Sequence, residues 1–268
     1  MNPADALILG IVQGLTEFLP VSSSGHLVLV ERLLGIRSAD LSFPVAVHVG
    51  TLIAVVIYLR HRIGQIVTSF VVGRSDGRPG TPSGDDAAVE KRMIPFILAG
   101  SVPAGIVGVL FKDRIEMAFA APLAAAVFLA VTGLWLLLAG AFPTGTRPVG
   151  WWRAWWIGVA QGVAVIPGIS RSGSTIATGM MLGVRPSEAA EFSFLLSIPA
   201  VFGAVLLSMP KALAAGQLGV THLIGLIAAA ATGYLALSLV FATIRRGRFA
   251  WFGVYCLLAG GTAAIWLR

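Results

Sequence analysis

Apolar residues run along this chain in stretches far wider than the stripe of a soluble amphipathic helix. Uninterrupted runs lie at about 43–59, 94–111, 119–142, 192–209, 218–243 and 249–267. Each approaches the roughly 20 residues that a helix needs to cross about 30 Å of hydrocarbon. None shows the in–out alternation of a barrel strand, so the pattern predicts an all-α integral membrane protein, a polytopic helical bundle. Two further apolar segments are interrupted, residues 4–35 at Pro20 and SSSG, and residues 151–184 at PGISRSG. Each is too long for one crossing and too short for two, which predicts a re-entrant broken-helix hairpin. The longest polar break, Arg60 to Arg92, contains GRSDGRPGTPSGDD and reads as a flexible surface loop.

The two interrupted segments resemble each other. In VQGLTEFLPVSSSGH and AQGVAVIPGISRSGS, Gln13 and Ser24 are eleven residues apart, as are Gln161 and Ser172. A long apolar run follows each copy. The chain therefore reads as a single membrane domain, 1–268, built from two repeats at about 1–111 and 119–268. Charge sets their relative direction, because Lys and Arg accumulate in cytoplasmic loops. With both broken segments treated as re-entrant, twelve of the nineteen Lys and Arg residues fall on the side of Arg60 to Arg92, Arg147, Arg153, Arg185 and Arg245 to Arg248, and six on the other. The first side, with loop 60–92, is then cytoplasmic, both termini face outward, and the repeats have inverted topology. In such folds broken helices meet near the midplane, with half-helix N-termini aimed at an anionic ligand.

Composition agrees. Of 268 residues 57% are hydrophobic and 12% charged, and the mean hydropathy is +0.88, which excludes a water-soluble domain. The net charge of +7 does not point to nucleic acid, since the basic residues sit between apolar spans and not on one face. The single cysteine, Cys256, excludes an intramolecular disulfide and a cysteine metal cluster. The start of the chain has no Lys or Arg before its apolar stretch and carries Asp5, so it is expected to be retained and not cleaved as a signal peptide. The oligomeric state is left open.

Ionisable groups inside membrane segments are costly and mark function by default. The candidates are Glu17, His26 and Arg171, with His48 and Glu191 more readily read as packing and helix-start residues. Gln13 and Glu17 lie four apart on one helix face that Pro20 ends. Ser22, Ser23, Ser24 and Gly25 then open the next helix, with His26 in its first turn. The second copy offers Ser170, Arg171, Ser172, Gly173, Ser174 and Thr175 at the corresponding place. Free N–H groups, hydroxyls and a planar guanidinium suit a phosphate ligand. A hydroxyl near a histidine suits nucleophilic or acid–base phosphoryl transfer. The carboxylate either orients the histidine or holds a divalent metal.

These residues, QGLTEFLPVSSSGH and PGISRSGSTI followed by EFSFLLSIP, resemble the undecaprenyl-diphosphate phosphatase family, also called bacitracin-resistance proteins, over nearly the whole chain. The resemblance implies a multi-pass enzyme of the bacterial inner (plasma) membrane that hydrolyses undecaprenyl diphosphate to undecaprenyl phosphate and inorganic phosphate, regenerating an envelope lipid carrier. It also implies two inverted, interlocked repeats. By motif position, Glu17 is the essential acid, Ser23 the nucleophile or its positioning hydroxyl, His26 the acid–base or alternative nucleophile, and Arg171 the diphosphate clamp. Gln13, Ser22, Ser24, Gly25, Ser170, Ser172, Gly173 and Thr175 would contact the substrate. Relatives carry Glu where this chain has Gln13, and that acid pair is invoked for a divalent cation, Mg²⁺ or Ca²⁺. Here the metal site would be Glu17 with the neutral Gln13.

A lipid-phosphate flippase or secondary transporter would use the same kind of midplane anion site. The serine and histidine favour the enzyme, since a carrier needs no nucleophile. SSSGH also looks like the PSGH of phosphatidic-acid-type phosphatases, but no K-x6-RP stands upstream and Ala177 occupies the place of the histidine expected six residues after Arg171.

Overall fold

The structure, a computed structural model, describes residues 1–36, 42–72, 85–111, 121–214 and 219–267. Its helices are, in chain order, α1 (Pro3–Phe18) and α2 (Ser23–Leu33), α3 (Ser42–Tyr58), α4 (Arg60–Val72), α5 (Asp85–Leu110) and α6 (Pro122–Ala141), then α7 (Trp151–Val163), α8 (Arg171–Met181), α9 (Pro186–Ala214), α10 (Val220–Arg245) and α11 (Ala250–Trp266). Among the described residues, Lys91–Leu110, Pro122–Ala141, Pro186–Pro210 and Val220–Arg245 are helices long and apolar enough to cross a membrane. The pair α3 and α4, bent by 70°, makes a fifth if read as one broken span. The protein is thus an all-helical, multi-pass membrane protein. Interior prolines in α5 (Pro95, Pro103) and α9 (Pro199, Pro210) are tolerated in membrane helices because surrounding groups satisfy the freed carbonyls.

Both predicted interruptions are helix breaks. α1 starts with a capping box, Asn2 accepting from the Asp5 amide and Asp5 from the Asn2 amide, and stops just before Pro20. α7 gives way at Ala164, and the turn through Pro167 and Gly168 leads into α8.

The predicted loop 60–92 is corrected at both ends. Arg60–Val72 forms α4, and Asp85 to Arg92 are the opening turns of α5; residues 73–84 lie outside the described residues. The polar residues of RHRIGQIVTSFVV mask a helical face, on which Ile66 is buried and Ile63 packs against the core. Arg62 on α4 reaches Glu191 on α9, Nε to Oε1 2.5 Å, so the helix is tied to the bundle. α9 also extends beyond the predicted 192–209, its first turn held by an Arg185–Glu188 ion pair.

Small residues let the helices close. α1 and α3 both pack on α10, α5 on α7, and α6 on α11. A Cβ on Gly14 would lie 2.1 Å from Thr232 Oγ1 and 2.5 Å from the Ala229 carbonyl oxygen. One on Gly158 would lie 2.1 Å from the Gly100 carbonyl oxygen. Close backbone approach of this kind replaces the hydrophobic driving force that lipid removes. Gly14→Ala is expected to destabilise the protein by about 1–3 kcal/mol through overpacking, whereas Gly64→Ala, with nothing within 4 Å, leaves it unchanged; thermal unfolding of the two variants in detergent compares them.

Candidate active site

The site forms where the two breaks touch. The amide of Gly168 donates to Ser24 Oγ at 3.3 Å, and Ser172 Oγ donates to the Leu19 carbonyl at 3.2 Å. A third contact is ionic, Arg171 Nη2 donating to Glu17 Oε1 at 2.7 Å. The last residues of α1 are thereby joined to the first residues of α8, 154 positions away.

The two helix starts are built alike. Ser22 caps α2, its Oγ accepting from the Gly25 amide, and Ser170 caps α8, its Oγ accepting from the Gly173 amide. Gly25 and Gly173 therefore serve the caps through their N–H groups. The amides of Ser23, Ser24, Arg171 and Ser172 belong to the first turns and have no intrahelical acceptor. Ser22 adopts φ 66°, the positive-φ non-glycine position among the described residues. A buried residue held in this region stores strain of about 1–3 kcal/mol and marks a constrained site. Ser170 is braced through its amide, which donates to Thr132 Oγ1 at 3.0 Å while that hydroxyl donates to the Gly168 carbonyl at 3.1 Å.

Glu17 is the hub. Its Oε2 accepts from Ser23 Oγ at 2.6 Å and from Gln13 Nε2 at 3.1 Å, and its Oε1 takes Arg171. The Arg171 side chain is 15% exposed and Glu17 8%. Two polar atoms at this centre are buried without a hydrogen-bond partner, Arg171 Nη1 and Gln13 Oε1. A buried orphan donor on a guanidinium costs free energy that a ligand oxygen would recover.

The structure therefore gathers Gln13, Glu17, Ser23 and Arg171 into one hydrogen-bonded cluster. It does not pair His26 with Ser23. The His26 ring donates from Nδ1 to the Ser22 carbonyl at 2.8 Å, and its Nε2 meets the Tyr255 hydroxyl at 2.8 Å. Since a carbonyl only accepts, Nδ1 carries a proton, and in the neutral ring the lone pair is on Nε2. Thr175 departs from the expected phosphate contact as well. Fully buried, its hydroxyl bonds the Arg171 and Ser172 carbonyls and Ser193 Oγ, the last at 2.5 Å. β-Branched threonine inside a helix turns its hydroxyl onto the preceding turn, so Thr175 braces α8 against α9. Ser24 and Ser172 likewise serve the junction between the breaks.

Three participants were invisible in the sequence. Tyr255 lies 229 residues from His26, and Thr132 and Ser193 belong to otherwise apolar runs. His48, read as a packing residue, donates from Nδ1 to the Pro44 carbonyl at 2.7 Å.

A divalent cation finds limited protein donors here. Among the described residues no group of three or more His, Cys, Asp and Glu could hold a metal. The donors that fit are the Glu17 carboxylate and the orphaned carbonyl oxygen of Gln13, hard oxygens suited to Mg²⁺ or Ca²⁺ only if a ligand supplies the remaining positions.

A family model described as Bacitracin resistance protein BacA matches residues 6–262. The chain is 43% identical over 274 residues to an undecaprenyl-diphosphatase of Desulfosudis oleivorans, covering 100% of this chain and 99% of that protein. It is 40% identical over 261 residues to an undecaprenyl-diphosphatase of Korarchaeum cryptofilum, covering 97% of each. A third, from Salinibacter ruber and bearing the same name, is 39% identical over 267 residues and 98% of each chain.

Because Glu17 and Arg171 are buried against each other, removing one strands the other. Arg171→Met is expected to cost about 3–5 kcal/mol of stability, and adding Glu17→Gln to recover most of it; chemical or thermal unfolding of both variants reads the coupling.

Proposed function

The chain belongs to the bacitracin resistance protein BacA family, and from that membership and the site at its two helix breaks we propose that it is an undecaprenyl-diphosphatase, hydrolysing undecaprenyl diphosphate to undecaprenyl phosphate and inorganic phosphate. This is the reaction by which an envelope lipid carrier is regenerated and bacitracin resistance conferred. The observation that carries the reading is the cluster of Ser23 hydroxyl, Glu17 carboxylate and half-paired Arg171 guanidinium. It is a nucleophile with its base, beside an anion clamp that has one free arm. The polyprenyl tail would lie among the apolar helices, whose outward residues are extensively exposed, while the diphosphate reaches the breaks.

Arrival of the diphosphate gives Arg171 phosphate oxygens to bind in paired fashion. Nη1 gains a partner, and Nη2 is drawn from Glu17, whose carboxylate becomes the better base for Ser23. Ser23 Oγ attacks the terminal phosphorus and its proton passes to Glu17. The bond from phosphorus to the bridging oxygen breaks, and undecaprenyl phosphate departs with that electron pair. Water then attacks the phosphoseryl phosphorus and gives a proton to His26 Nε2, while Glu17 returns its proton to Ser23 as the Oγ–phosphorus bond breaks. Arg171 and the first-turn amides of α2 and α8 bind the charge that develops on the phosphoryl oxygens. A divalent cation, held by Glu17 and Gln13 Oε1 together with the diphosphate, would supply further charge neutralisation there.

The halves are read as inverted-topology repeats with re-entrant hairpins at α1–α2 and α7–α8. Supporting this are the matching serine caps of α2 and α8 and a reciprocal packing, in which α1 lies on α10 of the second half and α7 on α5 of the first. Residence in the inner (plasma) membrane follows from the same reading.

Phosphate release from undecaprenyl diphosphate by the purified protein in detergent tests the assignment. Ser23→Ala is expected to lower kcat by on the order of a thousand-fold. Arg171→Lys, which keeps the charge but loses the fork, should raise KM and lower kcat together. EDTA should slow the enzyme less than either substitution. Full activity in Ser23→Ala would move the nucleophile elsewhere.

A further inference from the structure

We infer that Tyr255, on the last helix, is a positioning residue for His26, fixing the imidazole in the tautomer and orientation in which Nε2 is the proton acceptor. The inference rests on the phosphatase reading only for what His26 does, not for how it is held.

The imidazole is pinned from both ends. Nδ1 donates to the carbonyl of Ser22, whose backbone is itself constrained at φ 66°. Nε2 has the Tyr255 hydroxyl at 2.8 Å, with the two rings 11° from parallel and their centroids 5.7 Å apart. With Nδ1 committed as donor, Nε2 of the neutral ring carries the lone pair and accepts from the phenol. α11 makes a second contact at the same place, since the next residue, Cys256, directs its thiol at the Pro20 carbonyl, 3.6 Å away. Consecutive residues of α11 thus hold both sides of the first break, one at Pro20 and one at His26.

The placement of Tyr255 calls for a polar reason. Its side chain is 47% exposed on a helix whose outward face is apolar, and a phenol hydroxyl in such surroundings needs a hydrogen-bond partner. His26 is that partner. Without it the ring would be held at Nδ1 alone, free to leave the Ser22 carbonyl, rotate and change tautomer, and a base whose lone pair points wrongly is catalytically silent.

The test compares Tyr255→Phe, His26→Ala and the double variant by phosphate release from undecaprenyl diphosphate, with ¹⁵N NMR of imidazole-labelled protein read in parallel and His26 assigned by its loss in His26→Ala. Tyr255→Phe is expected to lower kcat roughly ten-fold, a fraction of the hundred- to ten-thousand-fold that a general acid–base group contributes, with KM within about two-fold. It should have no effect on the His26→Ala background. The His26 ¹⁵N shifts should move from a single Nδ1–H tautomer toward a tautomer mixture, and the shifts of the other histidines should stay put. Additive losses, or unchanged His26 shifts in Tyr255→Phe, would overturn the inference. If the unsubstituted protein itself releases no phosphate, the phosphatase reading fails, and the NMR comparison still decides whether Tyr255 sets the state of His26.

Discussion

A carboxylate and a guanidinium that meet from opposite halves of the chain set the form of everything around them. Neither Glu17 nor Arg171 is affordable alone in a membrane interior, where an unpaired charge carries a large desolvation penalty. Paired at 2.7 Å, they join the end of α1 to the start of α8, where Pro20 and the turn through Pro167 and Gly168 break the helices. The breaks in turn free helix-start amides, which the serine caps at Ser22 and Ser170 only partly consume. What remains is a small polar island whose unsatisfied atoms, Arg171 Nη1 and Gln13 Oε1, are those a phosphate and its counter-ion would satisfy. Ground-state instability and ligand affinity are here two descriptions of one arrangement.

Holding such an island rigid falls to the surrounding packing, which uses backbone contact in place of large side chains. α1 rests on α10 through Gly10 and Gly14, and α7 rests on α5 through Gly158. Because both helices that run into the breaks are seated this closely, small displacements of the tips would force backbone clashes. Preorganisation of charged groups in a low-dielectric setting is what makes them effective on a transferring phosphoryl group.

How much of this was legible in the sequence follows the range of each interaction. The helices announced themselves, since the length of an apolar run is a local property. The breaks were legible because Pro20 and the serine–glycine turns act locally, and the likeness of Gln13–Ser24 to Gln161–Ser172 suggested that the two copies act together. The region Arg60 to Arg92 misled because a polar helix tied down by Arg62 and Glu191 looks, residue by residue, like a loop. Within the site, the residue types pointed to a phosphate, but hydroxyl partners depend on rotamers. Ser23 turned to Glu17 and not to His26, and Thr175 turned to its own helix. Tyr255 carried no signal, since the last apolar run differs from any other membrane helix only in what it touches.

The two similar segments also differ in their charged positions. Four residues after Gln13 stands Glu17, and four after Gln161 stands Val165; where the first copy has Ser23, the second has Arg171. Two symmetric sites each with acid, nucleophile and clamp would bury two ion pairs. With the carboxylate in the first segment and the guanidinium in the second, the chain buries a single pair and compensates it. Gln161 has an amide buried with neither atom hydrogen-bonded, while its counterpart Gln13 donates to Glu17. One compensated pair between the two segments is the arrangement that a membrane interior tolerates far more readily than two.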